Sequence, residues 1–284
     1  ELSPGEAITR EFTVTATTPA VRIEARLDAD ALTADDHRYL VVPVLATLPV
    51  LLVDGRPSPQ PFESASAFVQ LALAPLANTA MGNGGIAPKV IADGELVSTD
   101  LTPYAAVFLC DVPRLTDRDA DVLRQYVGQG GALVIGLGPG VRAENYNGVL
   151  HRSEQDLLPA RLGEIVGDPV RRETQYLFEG EDFSHPMLQP FRGNPNTGFE
   201  LAQSFAYYKT TFPSDRGGTV IRFDSGDPAV LDIPWEEGRV LLITTSLDRS
   251  WSAWPLWGHS FVPMMQELLR SLATERAAGR NLLV

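Results

Sequence analysis

A single cysteine, Cys110, occurs in 284 residues, which excludes an internal disulfide and any metal site built on several thiolates. Histidine is as sparse: His37, His151, His185 and His259 show no HxxxH, HxH or HExxH spacing, so no zinc site and no metal is predicted. No run of about 18 apolar residues, the length a helix needs to span a bilayer, is present. Cations are the minority, 23 Lys+Arg against 36 Asp+Glu. The formal charge of −13 argues against nucleic acid as a partner and against contact of this chain with anionic lipid, because both need clustered Lys and Arg. The opening ELSPGE carries neither an initiator Met nor a basic-then-apolar leader. It starts in mid-pattern and reads as a piece of a longer protein.

What is there is 44% hydrophobic and 21% charged, the balance of a globular chain. Residues 8–46 alternate apolar and polar in TREFTVTA, AVRIEARL and HRYLVVPVL, the period-2 pattern of antiparallel strands. The intervening loop holds Asp28, Asp30, Asp35 and Asp36. It lacks the Gly and the distal Glu of a helix-loop-helix calcium site, and reads as a solvated connection.

From Leu48 the period changes. LPVLLVDG, IAPKVIADGE, YAAVFLCDV and ALVIGLG read as buried strands. FESASAFVQLALAPL has helical spacing through Phe62, Ala65, Phe68, Val69, Ala72 and Leu73. LTDRDADVLRQYVGQGG reads as a helix with Thr116 as N-cap, acids in its first turn and glycines at its end. This alternation predicts a parallel sheet with helices on both faces. Residues 141–200 read as irregular, with one short helix around LLPARLGEIVG. FAYYKTTF, GTVIRFDSG, AVLDIPWEEG and RVLLITTS then read as antiparallel strands, and SFVPMMQELLRSLATERAAG as a closing helix.

The phrases LDADALTADDHRYLVVPV, LLVDGRPSPQPFESASAFVQLALAP, GGALVIGLGPGV and RVLLITTSLDRSWSAWPLWGHSFVPMMQELLR resemble the class I glutamine amidotransferase-like domain of bacterial membrane-anchored, aerotolerance-type proteins. Those proteins also carry a von Willebrand factor A domain. The resemblance implies an α/β chain: a flavodoxin-like doubly wound three-layer sandwich at 47–284, behind the tail of an immunoglobulin-like β module at 1–46. It also implies placement on the extracytoplasmic side of a bacterial membrane. The implied partners are other domains of the same chain, of von Willebrand factor A type, and envelope proteins. In that superfamily a nucleophilic Cys sits in a Gly-flanked elbow after a strand. The matching corner here is Gly136–Gly140, where Leu137 or Gly138 stands in the nucleophile's place. The resemblance therefore implies the fold without the activity: a non-catalytic structural or interaction module that needs no cofactor.

Two further readings stay open. One is a Cys-dependent hydrolase or amidotransferase built on Cys110, His259 and Asp248, since Cys110 ends a strand at the edge where α/β sheets bind ligands. Against it, a reactive thiol needs a depressed pKa and Cys is commonly a packed core residue. The other is a small-molecule sensor that uses the corner, with Gly136, Gly138, Gly140 and Asp54 as the ligand-binding candidates. GLGPG lacks the GxGxxG spacing, however, and Pro139 removes an amide donor. Asp54, Asp111 and Asp248 all follow strands and suit loop capping as well as catalysis. Trp251, Trp254 and Trp257 form an aromatic cluster that either fills the core or, if exposed, makes an interaction surface.

Overall fold

The structure, a computed structural model, describes residues 20–26, 37–43, 47–75, 85–153, 156–179, 185–194, 196–211 and 217–278. The chain divides into two compact units, one made of residues 1–46 with 279–284 and one of residues 47–278.

In the first unit, β1 (Ala20–Arg26) and β2 (His37–Pro43) pair antiparallel, with Ile23 opposite Leu40 and Glu24 opposite Tyr39. The strand expected near residues 9–16 and the loop aspartates Asp28, Asp30, Asp35 and Asp36 lie outside the described residues.

The second unit runs β3 (Leu48–Asp54), α1 (Ala67–Leu73), β4 (Ile86–Ala92), β5 (Ala106–Cys110), α2 (Asp117–Gly128), β6 (Ala132–Leu137) and α3 (Ala143–Val149). It continues with β7 (Arg161–Gly167), β8 (Tyr176–Glu179), β9 (Gln203–Ser204), β10 (Ala206–Thr211), β11 (Gly218–Phe223), β12 (Pro228–Trp235), β13 (Gly238–Ser246) and α4 (Gly258–Ala278). Residues 50–53 of β3 and all of β5 and β6 are buried, as apolar runs must be when a sheet is covered on both faces. The capping of α2 is reciprocal: Thr116 Oγ1 accepts from the Asp119 amide at 3.2 Å, and Asp119 Oδ2 accepts from the Thr116 amide at 2.7 Å. Gly130, at φ +87°, stops that helix, and the Gly131 amide bonds back to the Tyr126 carbonyl at 3.0 Å.

The main sheet has nine strands in the order β4-β3-β5-β6-β13-β12-β11-β8-β9. The strands from β4 to β13 are parallel to one another, and the rest pair antiparallel. One face carries α1 and α4 over a core of Val50, Phe108, Val134, Leu241 and Leu268. The other carries α2, α3 and the separate β7–β10 pair over Leu51, Leu109, Ile135 and Leu242.

Several expectations are corrected here. The fold is not a flavodoxin-like doubly wound sandwich. Nearly half of its large sheet is antiparallel, helices are few, and a second small sheet replaces helical cover on one face. β13 is not part of the antiparallel run on both sides: it pairs parallel with β6 and antiparallel with β12, and so joins the two halves. LLPARLGEIVG forms no helix, because its second part is β7, hydrogen-bonded antiparallel to β10. Within the stretch expected to be irregular, AENYNGV forms α3.

Candidate functional site

Order reverses in the parallel half at β3. From there the chain moves outward to β4 and then returns across to β5, so the C-terminal ends of β3 and β5 form a switch point. Open α/β sheets place ligands at such points. Asp54, Arg56, Cys110 and Asp111 lie here, and the segment after β13 brings Asp248 to the same edge.

The approach of the two loops is very close. A Cβ on Gly55 would sit 2.1 Å from the Asp111 carbonyl oxygen. Asp54 closes its own loop, with Oδ1 accepting from the Arg56 amide at 2.9 Å and Oδ2 accepting from the Ser66 hydroxyl at 2.5 Å. Asp111 holds a left-handed φ of +50°, which turns its side chain into the glycine corner. Its Oδ1 accepts from the Gly140 amide at 2.8 Å. Its Oδ2 faces Arg56 Nε at 3.6 Å, and neither of those two buried atoms makes a hydrogen bond among the described residues. Arg56 also forms an ion pair with Asp248, whose Oδ1 accepts from the Ser250 amide at 2.8 Å. Burial raises the Asp111 carboxyl above its ordinary value, and the Gly140 amide and Arg56 pull it only partly back.

The glycine corner is therefore filled. A Cβ on Gly138 would meet the Asp111 carboxylate at 2.5 Å, one on Gly140 would meet it at 3.1 Å, and one on Gly136 would meet the Leu247 side chain at 2.4 Å. These glycines make room for the protein's own carboxylate and for Leu247. The corner offers a ligand no space, and Asp54 is spent on capping.

Cys110 is fully buried. Burial first, and then the carboxylates of Asp54 and Asp111, push its thiol well above the ordinary value, so the thiolate is suppressed. His259 is exposed at the start of α4, beside Gly198. Asp248 belongs to Arg56. The structure does not assemble these three into a catalytic group. Nor do the tryptophans form one surface. Trp254 is buried against Phe178 and Phe261, with ring centroids at 4.9 and 5.1 Å, and Trp251 is buried against Tyr208 on the opposite face. Trp257 alone of the three reaches solvent, at 36% exposure.

Sequence reasoning missed an open cleft of about 360 Å³ beside this edge. It is lined by Arg56, Arg172 and Arg249, by Glu63 and Asp248, by Ser250 and Ser252, and by Phe62, Phe205 and Leu256. Arg249 pairs with Glu63 at 2.8 Å. The guanidinium of Arg172 lies over the Phe205 ring at 4.5 Å. Four described non-glycine residues have a left-handed φ: Phe62, Asp111, Arg172 and Glu236. Two of them line the cleft and Asp111 lies under it, the concentration of backbone strain expected near a binding site. A signal was available in the sequence: Arg56 and Arg249 each follow an aspartate at or just past a strand end, and the switch-point rule applies to cations as well as to carboxylates.

No family model matches the chain, and no curated protein does. Solved structures do share its fold. The cytoplasmic protein STM1381 of Salmonella typhimurium LT2 superposes with a TM-score of 0.56 at 16% identity, over 79% of this chain and 99% of that one. The cytoplasmic protein STM3548 of Salmonella typhimurium gives 0.52 at 13% identity, over 78% and 98%. A β-galactosidase from Bacillus circulans sp. alkalophilus gives 0.51 at 16% identity, over 81% of this chain but only 31% of its own. At these identities the likeness is one of fold alone.

These findings overturn the resemblance drawn from the sequence. The similar structures reported are cytoplasmic proteins and β-galactosidases and not glutamine amidotransferase-like domains. The extracytoplasmic placement rested on that resemblance and falls with it. No described helix is long and apolar enough to cross a membrane.

Proposed function

We propose that this protein is a non-catalytic module that binds a small molecule in the cleft at the C-terminal edge of its parallel strands. The observation that carries this reading is the contrast along that edge. Asp54 and Asp248 are bonded to the protein, Asp111 is held through one oxygen and Cys110 is buried, while the cleft beside them stays open and lined by charged and apolar side chains. A Cys-dependent mechanism needs an ionisable, accessible thiol with a base in reach, and Cys110 is buried with its thiol pushed up. Hydrolysis of a glycoside, the chemistry of the galactosidase above, needs two free carboxyl groups flanking the sugar. At this edge Asp54, Asp111 and Asp248 are bonded to the protein, and Glu63 is paired with Arg249.

Native mass spectrometry on the gently purified chain, joined to iodoacetamide labelling, tests the reading. A small molecule carried at one per chain, with Cys110 unlabelled until the protein is denatured, is the expected result. Labelling of Cys110 in the native state faster than a free thiol, with amide or ester hydrolysis lost in Cys110→Ala, would restore the enzyme reading.

A further inference from the structure

We infer that the cleft selects a small organic monoanion, a carboxylate whose oxygens are held by Arg172 and whose apolar body lies against Phe62 and Leu256. This rests on the binding role proposed above and adds the charge and shape of the ligand.

The cleft's charges nearly cancel, and the exception decides the matter. Arg56 is balanced by Asp248, with Asp111 behind it, and Arg249 by Glu63. Among the described residues Arg172 pairs with no carboxylate. Its Nε donates to the Pro169 carbonyl at 3.1 Å, its Nη2 faces the Arg249 carbonyl at 3.5 Å, and its plane is set by the Phe205 ring. A guanidinium has five N–H donors, so the fork still has hydrogens to offer. Because neutral carbonyls and a ring already fix it, little side-chain entropy remains to be lost on binding. An uncompensated cation in this cleft, in a chain of formal charge −13, is a local attractor for a single negative charge. A phosphate monoester, close to a dianion at neutral pH, would need a second free cation, which the pairing of Arg56 and Arg249 denies it.

The apolar half of the ligand follows from the rim. Phe62 stands 49% exposed at φ +61° and Leu256 58% exposed. Phe62 packs on Phe68 with centroids at 5.5 Å, so its ring is held in place rather than swinging free. The volume of about 360 Å³ is near the lower end of ligand pockets, roughly 300–1,000 Å³, and suits a small molecule rather than a peptide.

Titration calorimetry with 3-phenylpropionate, 3-phenylpropionamide and phenyl phosphate tests this, on the wild type, Arg172→Gln and Arg172→Lys. The carboxylate is expected to bind the wild type best. Arg172→Gln should lose roughly tenfold to a hundredfold of that affinity, the equivalent of a charge-assisted hydrogen-bond pair, with an unchanged melting temperature. Arg172→Lys should keep the preference for the anion at reduced affinity, and carries the test alone if Arg172→Gln does not fold. Equal binding of amide and carboxylate, tighter binding of the phosphate, or a carboxylate preference that survives Arg172→Gln would each overturn the inference while leaving a binding cleft. Failure of all three probes to bind would remove the cleft reading with it.

Discussion

Asp232 and Asp111 are both buried in the main unit beside an arginine, and the fold treats them differently. Asp232, on β12, has both oxygens occupied. Arg239 Nε lies 2.8 and 3.0 Å from them, and His185 Nε2 is 3.0 Å from Oδ2. The cluster ties the segment that begins at His185 to β12 and β13, and it is closed. Asp111 sits at the other pole. One of its oxygens takes the Gly140 amide, the other accepts no hydrogen bond among the described residues, and its arginine stands 42% in solvent. Complete satisfaction marks the part of the sheet whose work is structural. Incomplete satisfaction, left-handed backbone and an open cleft occur together at the part where a ligand is expected to bind.

The sharpest way to break this contrast is to remove each arginine in turn. Arg239→Ala leaves the Asp232 carboxylate buried with only His185 beside it, and should cost about 3 kcal/mol of stability. Arg56→Ala strips a half-exposed partner from Asp248 and from an Asp111 carboxyl already held above its usual range; because solvent reaches this guanidinium, the change should cost less, about 1 kcal/mol. Urea denaturation of the two variants measures both. Equal losses would mean that the open edge is as fully committed to stability as the closed cluster.

Gly138→Ala comes next. Its Cβ would lie 2.5 Å from the Asp111 carboxylate, and overpacking of this kind costs about 2 kcal/mol. Because the clash is with a side chain, Asp111→Ala should relieve it, so the double variant is expected to be more stable than the sum of the single changes allows. Simple additivity would show that Asp111 does not fill the corner. Gly136→Ala meets the buried Leu247 side chain at 2.4 Å and should cost about as much, with no relief from Asp111→Ala.

Much of this scaffold was legible from local pattern. VLLVDG, AVFLC and ALVIGL read as buried strands because continuous apolar runs need cover on both faces. Thr116 and Asp119 announced α2 because capping is local chemistry. What failed was non-local. The apolar spacing of Leu158, Leu162 and Ile165 mimics one face of a helix. Yet the bonds that decide Arg161–Gly167 come from β10, some 40 residues on, with Gly163 passing close to the Lys209 carbonyl. Strand direction is no more local: nothing within RVLLITTS specifies that β6 will lie parallel on one side of it and β12 antiparallel on the other. The cleft escaped for the same reason. Arg172 lies in a stretch without periodicity, and the partners that orient it, Phe205 and the Arg249 backbone, are remote in sequence. The purpose of the glycine corner stayed open in the sequence, because a glycine that admits a ligand and one that admits a neighbouring carboxylate look alike there.

The smallest expected effect is a pH dependence, and it tests the electrostatic half of the contrast. Desolvation raises the folded-state value of the Asp111 carboxyl above the ordinary 3.8, so the native state binds this proton more tightly than the unfolded chain does. Linkage then gives the sign. The group favours the fold below 3.8, and that contribution is lost as pH rises through the raised value. Above it, an ionised Asp111 is a constant cost. Asp111→Asn cannot ionise and should therefore gain on the wild type as pH climbs through this acid window, then hold a steady difference. Melting temperatures of both proteins across the acid range supply the measurement. A difference that does not change with pH would mean that Asp111 ionises as readily in the fold as out of it. Arg56 would then compensate the buried charge, and the open edge would owe its character to shape alone.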